Sequence, residues 1–423
     1  MHVCFFNRSY WPDQAATGQL LTELAEDLVA LHGCRVTVVA GRALHEDETA
    51  KLETRHSTLE TRLSPFQYDE HNGVHIIRAA GTRMSPRRFA ARATNYMTYF
   101  TSSTVAGLRV TAPDLVVSLT DPPIVGLTAL WTARRTGAPF VFLCEDIFPE
   151  VAVLVEDFHN RTVYYTLDRI NRHLLRQADA VIALGERMRA RLVEEKGADP
   201  DRIEVIHNWA DCQAIVPGDK NNEFARAHGL IDRFVLMHSG NVGLSQNLDV
   251  LVEAADLLRS RERLSIVIVG QGARREVLEG LVARKGLTNV TFLPYQSKEQ
   301  LRESFAAADA FVISLKPGLE GYIVPSKLYG ILAAGRPYVA AVDPSCEVAA
   351  IAREYECGVL AKPGDPVDLA RKIAELYDDP VTVRKMGTYA RLAAGRFDRH
   401  PSVQAYHDLF ARVVAAHRKE QVA

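Results

Sequence analysis

The sequence predicts an α/β protein made of two doubly wound, Rossmann-like parallel-sheet domains that face each other across a cleft. Three observations predict it. Short β-branched runs alternate with longer amphipathic stretches along the whole chain. The strand runs are continuously apolar, as in a parallel sheet covered on both faces. The alternation breaks at a polar connector and then starts again, and 423 residues exceed what one hydrophobic core usually serves.

The first series opens with VCFF. CRVTVVA (Cys34 to Ala40), VHIIRAA (Val74 to Ala80), PDLVVSL (Pro113 to Leu119), APFVFLC (Ala138 to Cys144) and ADAVIAL (Ala178 to Leu184) follow. Between the first two lies GQLLTELAEDLVALHG, in which Leu20, Leu21, Leu24 and Leu28 share one helix face and Gly33 stands where a C-cap belongs. The connector is punctuated by Pro217 and Gly218. The second series runs FVLMHSGNVG, LSIVIVGQGA, NVTFLPY, ADAFVIS and RPYVAAV, again with helical patterns between. The spacing predicts a first domain over 1–210, a linker over 211–232, a second domain over 233–398 and a terminal helix over 399–423. That helix packs on either domain as far as its pattern tells, including back onto the first. Ligands of such sheets bind beyond the carboxyl ends of the strands, so the gap between the domains is the expected site. Two independent domains without a shared site are the alternative.

Composition narrows the function. Fifty Lys+Arg against 52 Asp+Glu leave a net charge of −2, which gives no global reason to expect nucleic-acid binding. The six cysteines are scattered, with no CxxC pair and no ligand-spaced histidine, so buried free thiols are expected rather than disulfides or a metal site. No basic leader and no membrane-length apolar run is present, which predicts a cytoplasmic protein.

The glycine-bearing turns after the strands are the candidate binding loops. YWPDQAATGQLL enters the first helix through Ala15, Ala16, Thr17 and Gly18, small residues that let an anion or a sugar hydroxyl approach the backbone. It is not G-x-G-x-x-G, and a plain tight turn explains it equally. In HSGNVGLSQNLDVLVEAADLL, Gly240 and Gly243 bracket Asn241 ahead of a helix, suiting a phosphate. VGQGARREVL puts Gly270 and Gly272 at a strand end, where a base or ribose can come close. The segment from Ser314 to Asp343 is the densest. Pro325 and Ser326 read as a helix start and Gly335 as its end, which puts Lys327 in the first turn. A lysine there opposes the helix dipole, and a bound diphosphate would resolve the conflict. Glu320, on the loop just upstream, is either a sugar-hydroxyl acceptor or a solvated loop acid.

Taken together, these residues resemble the GT-B-fold glycosyltransferases of family 4, retaining enzymes that use nucleotide sugars. The motifs carrying the resemblance are HSGNVGLSQNLDVLVEAA, VGQGARREVL, NVTFLPYQSKEQLRESFAAADAFVISL and VPSKLYGILAAGRPYVAA. CEDIFPE, RQADAVIALGERMRARL and RIEVIHNWAD add to it from the first domain. The match is strongest to the subgroup that builds bacterial exopolysaccharide, capsule and O-antigen repeat units on a lipid carrier. The resemblance implies that the second domain binds the donor, UDP-linked more readily than GDP-linked, and the first domain a glycan or polyprenyl-linked acceptor. Gly240, Asn241, Gly243, Ser326 and Lys327 would hold the diphosphate, Gly270 and Gly272 would line the nucleoside pocket, and Tyr295 would lie beside the base. Glu320 would contact the donor sugar, and Gly18 would lie near the diphosphate across the cleft. No cofactor and no metal is implied.

Three departures stand out. GNVGLSQ lacks the Arg and Lys that many members carry there. Gly330 stands where a ribose-binding glutamate is usual. SLTDPP has Thr120 and Asp121 where many relatives have a histidine, which leaves Asp121 or Asp146 to orient the acceptor or the sugar. A sugar-nucleotide 2-epimerase of the same fold and a non-catalytic subunit are the competing readings.

One further stretch concerns a surface. From Arg78 to Pro113 no acidic residue occurs, while Arg78, Arg83, Arg87, Arg88, Arg92 and Arg109 interleave with Phe89, Tyr96, Met97, Tyr99 and Phe100. This suits peripheral docking on the anionic inner face of the cell membrane. An ordinary helix with a solvated basic side accounts for it equally.

Overall fold

The computed structural model describes residues 1–13, 15–42, 66–82, 84, 89–156 and 160–422. Its first sheet is built on β1 (His2–Phe6), β2 (Arg35–Gly41), β3 (Phe66–His71), β4 (Val74–Ala79), β5 (Leu115–Ser118), β6 (Phe140–Cys144), β7 (Ala180–Ala183) and β8 (Ile203–Val205). They lie in the order β3-β4-β2-β1-β5-β6-β7-β8, and every pairing but β3 with β4 is parallel. The helices are α1 (Ala16–Ala30), α2 (Phe89–Gly107), α3 (Val125–Thr136), α4 (Glu150–Glu156), α5 (Arg161–Gln177) and α6 (Glu186–Glu194). In α1 the expected leucines are buried, and Gly33 adopts φ +61° just past the helix end.

The antiparallel β3 adds a strand to those expected from the apolar runs. Its hairpin with β4 turns at Asn72 and Gly73, both at positive φ, and the Asn-Gly pair is the sequence signal that marks it.

The second sheet takes β9 (Phe234–Ser239), β10 (Leu264–Val269), β11 (Val290–Leu293), β12 (Ala310–Ser314), β13 (Tyr338–Ala341) and β14 (Gly358–Ala361), all parallel, in the order β11-β10-β9-β12-β13-β14. Its helices are α7 (Glu223–Ala227), α8 (Asp249–Leu257), α9 (Arg275–Lys285), α10 (Lys298–Ala306), α11 (Lys327–Ala333), α12 (Glu347–Glu354), α13 (Pro366–Asp378) and α14 (Pro380–Ala394). The strand order reverses between β1 and β5 in one sheet and between β9 and β12 in the other. Those two positions are where doubly wound sheets open a crevice.

Two local expectations differ from the structure. The connector is not wholly irregular: α7 buries Phe224 and Ala225 in the second domain's core. Gly243 does not lead straight into a helix, because α8 starts only at Asp249, behind an intervening loop.

The terminal helix α15 (Arg399–Val422) crosses back onto the first domain, where Val403, Tyr406, Leu409, Phe410 and Val414 join the core with Phe5 and Trp209. Arg399 fastens the crossing with a two-pronged bond to Asp27 of α1, at 2.7 Å for each prong. All six cysteines are free, and five of them are buried.

Candidate active site in the gap between the domains

At the carboxyl ends of β9 and β10 the backbone is packed so tightly that only glycine fits. Gly270, at φ +139°, would put a Cβ 1.9 Å from the carbonyl oxygen of Gly240. At Gly272, φ +159°, a Cβ would lie 2.3 Å from the carbonyl of Val242 and 2.6 Å from Asn241 Oδ1. Backbone bonds tie the two turns together, from Gly240 N to Val269 O at 2.9 Å and from Val242 N to Gln271 O at 2.8 Å. The Asn241 side chain lies between Gly272 and Gly243, and Gly243 N donates to Gln246 Oε1 at 3.0 Å. The predicted glycines are thus brought together as one shelf.

Lys327, the first residue of α11, reaches over this shelf. Its Nζ lies 3.7 Å from the point where a Cβ on Gly240 would stand. Beneath it is His238, fully buried on β9, with ring nitrogens 3.2 and 3.4 Å from Nζ. Burial, and then the nearby Lys327, hold His238 far below the usual histidine value, so its ring is neutral. Burial alone pushes Lys327 down to about 7. Among the described residues no carboxylate pairs with it. Ser326 precedes it in helical conformation, and its side chain makes no capping bond. An ammonium held over a glycine shelf without a counter-ion is a site for an anion.

The loop before α11 is shared between the domains. Ile323 forms a bridge with Asp146 of the first domain, and Ile147 N donates to Tyr322 O at 3.0 Å. Glu320 is not a solvated loop acid. Its Oε1 accepts from Arg191 Nη2 of α6 at 2.8 Å, and Arg191 Nε donates to its carbonyl. Gln19 of α1 bonds Tyr295 across the gap, while Gly18 packs against Ser9 and Tyr10.

Asp121 is engaged by Arg8, whose Nη2 lies 3.2 Å from Oδ1. Asp146 is raised to about 7 by burial and then by Asp121. Its neighbour Glu145 is raised to about 8 by burial and then by Asp146. Gly330 lies one helical turn past Lys327, where a Cβ would face Phe305 and Ile215 rather than the shelf.

The sequence reading missed His238, Arg191, Arg8, Gln19 and Glu145. Only His238 carried a signal, because it stands immediately ahead of the SGN turn.

Comparison with known proteins places these features. Residues 16–209 match the glycosyl transferase 4-like domain and residues 220–393 match glycosyl transferases group 1. The chain belongs to the family 4 glycosyltransferases of GT-B fold. Among relatives of this family, the probable glycosyltransferase WbjE of Pseudomonas aeruginosa is 30% identical over 62% of this chain and 66% of its own. The putative colanic acid biosynthesis glycosyl transferase WcaI of Escherichia coli K12 is 29% identical over 43% of this chain and 45% of its own. The aligned stretches thus span about half to two thirds of these relatives' lengths. In fold, the glycosyltransferase-like chain superposes on Anabaena HepE, solved in complex with UDP, with a TM-score of 0.72. That match covers 97% of this chain and 100% of HepE at 17% identity.

The basic stretch expected to meet a membrane is partly internal. Arg78 is 4% exposed and bonded to Asp69 at 2.8 Å, and Tyr99 is buried with its hydroxyl on Val39 O. Arg109 lies over the Phe66 ring. Arg83, Arg87 and Arg88 fall outside the described residues, as does the side chain of Phe89. No helix among the described residues is long and apolar enough to cross a membrane.

Proposed function

We propose that the protein transfers a sugar from a UDP-linked donor to a hydroxyl of a glycan or lipid-linked acceptor in bacterial surface polysaccharide synthesis. The transfer retains the anomeric configuration and needs no metal. The observation that carries this reading is Lys327, in contact with the His238 ring but with no carboxylate partner among the described residues, poised over the Gly240 shelf where a leaving diphosphate gathers charge. The UDP bound by HepE supports the choice of nucleotide, and the colanic acid relative supports the polysaccharide setting.

In this reaction the acceptor oxygen bonds to the anomeric carbon from the face that the diphosphate is leaving. The electron pair of the breaking C–O bond stays on the diphosphate, and the acceptor's proton passes to its phosphate oxygen. The protein supplies preorganised positive charge where negative charge develops, through Lys327 above the shelf. No strong side-chain base is needed. Asp121 and Asp146, at the first domain's side of the gap, orient the acceptor hydroxyl.

Contact with an anionic leaflet belongs to the same reading and is supported by three neighbouring helices. On α2 and its end Met97 and Leu108 are exposed, and α3 exposes Trp131, Arg134 and Arg135. On α5, which packs Leu174 against Gly126 of α3, Tyr165, Arg161, Arg169 and Arg176 are exposed. Exposed apolar residues and exposed arginines carried on the same helices suit a lipid interface. Flotation with phosphatidylglycerol vesicles is expected to carry the protein, and flotation with neutral vesicles is not.

A thermal-shift screen of UDP and GDP, with and without EDTA, tests the donor. A nucleotide at about a hundred times its Kd adds roughly 2.7 kcal/mol of stability. UDP is expected to stabilise the protein with or without the chelator; stabilisation by neither nucleotide would remove the transferase reading.

A further inference from the structure

The loop that carries Glu320 is held by the other domain, through the Asp146–Ile323 bridge, the Ile147–Tyr322 backbone bond and one side chain that grips it at several points. Arg191 of α6 has its guanidinium 3.9 Å above the Tyr322 ring. It bonds both the carboxylate and the carbonyl of Glu320, and it also bonds Glu195, which caps the end of α6. Tyr322 is itself part of the first domain's core and donates from its hydroxyl to Glu195 Oε2 at 2.7 Å. Gly321, at φ +76°, lies so close that a Cβ there would meet Arg187 Cγ at 2.7 Å and Arg191 Nε at 3.0 Å. A desolvated, forked and stacked arginine is a rigid fastening, and lysine cannot reproduce its geometry.

We propose that Arg191 is a positioning residue: by clasping residues 320–322 onto the first domain, it fixes the donor-sugar side of the site. The loop runs on through Ile323 to Lys327, so the clasp and the diphosphate site share one short segment of backbone. This inference rests on the transferase reading for its catalytic consequence. Its structural content stands apart from that reading.

The test uses the full-length protein with Arg191→Ala and Arg191→Lys, each checked for a native thermal transition. Hydrogen exchange of the 318–324 amides is expected to rise at least tenfold in Arg191→Ala while strand β10 is unchanged, with Arg191→Lys in between. UDP affinity by calorimetry is expected to stay within threefold of wild type, because the shelf and Lys327 are untouched. Turnover of the UDP-sugar that the wild type accepts is expected to fall at least tenfold in Arg191→Ala and to recover in part in Arg191→Lys. Unchanged loop exchange, or raised exchange with full turnover, overturns the proposal. If Arg191→Ala does not fold, Arg191→Lys decides: loss of the forked hold on Glu320 should raise loop exchange, and no change overturns the clasp. A wild type that binds no UDP would defeat the transferase reading instead, and the exchange comparison would still judge the clasp.

Discussion

Gln19 Nε2, on α1 of the first domain, donates to the hydroxyl of Tyr295 in the second at 3.0 Å. The bond spans the gap that divides the two sheets, just beyond the carboxyl end of β11. It ties the Tyr295 hydroxyl to the opposite domain, two residues past Leu293, whose carbonyl accepts from Gly270 N. Base–aromatic stacking contributes about 1–3 kcal/mol. With UDP as ligand, Tyr295→Ala is expected to weaken binding about tenfold. Tyr295→Phe, which keeps the ring, should stay within about threefold. Calorimetry reads both, and equal losses in the two variants would remove the stacking role.

Lys327 brings positive charge over the shelf from α11, while Arg275 of α9 bonds the Gly270 carbonyl and the Leu293 carbonyl at its edge. Replacing it by alanine should lower turnover roughly a hundredfold or more, as loss of one transition-state donor does. Steady-state rates at saturating donor check this, and near-normal activity would take Lys327 out of the reaction.

The same lysine predicts a pH dependence. Burial holds it at about 7, against an ordinary value of 10.5. The folded state therefore gives up the proton first. The penalty of burying this ammonium is fully present below pH 7 and fades as pH rises toward 10.5. A bound diphosphate favours the charged form, so UDP binding should take up close to one proton at about pH 8.5 and almost none at about pH 6. Calorimetry in buffers of different ionisation enthalpy measures the uptake, and it should be absent in Lys327→Ala.

Gly270 carries the tightest approach in the shelf. An alanine there meets the Gly240 carbonyl at 1.9 Å with φ at +139°, so the backbone must move. Gly270→Ala should cost about 2 kcal/mol or more of stability. It should also abolish UDP-induced stabilisation. Gly286→Ala, which meets nothing within 4 Å but shares a positive φ, is the control for conformational strain alone.

Away from the site, Lys196 has a side chain with no exposed surface, and it bonds Glu150 at 2.7 Å and Asp168 at 2.8 Å. Lys196→Met strips Glu150 of its cationic partner while Asp168 keeps Arg172 at 2.7 Å, and should cost about 2–3 kcal/mol. Denaturant unfolding measures it, and a loss below about 1 kcal/mol would show that the pocket relaxes or admits water.

The strands, the glycine turns and the position of Lys327 could be read from the sequence because each depends on neighbours a few residues away. Apolar runs set the strands, and a glycine at a strand end marks a turn where backbone must pass backbone. What escaped reading is contact between distant stretches. Arg191 looks like a surface residue of an amphipathic helix until Glu320, 129 positions on, is brought against it. Asp121 likewise gives no sign of Arg8. Arg78 shows the reverse error: it read as part of an exposed basic face, but the unread strand β3 brings Asp69 beside it and closes it in. His238 reads as a strand residue, and only the fold sets it beneath a lysine.

The crossing of α15 has a consequence for biosynthesis. The wall that covers Phe5 and Trp209 is completed by residues that leave the ribosome only after the whole second sheet has been made. At about 5–20 residues per second, the amino-terminal half waits on the order of 10 s or more with that flank bare. During that interval the nascent chain offers chaperones an apolar groove that the finished protein does not have.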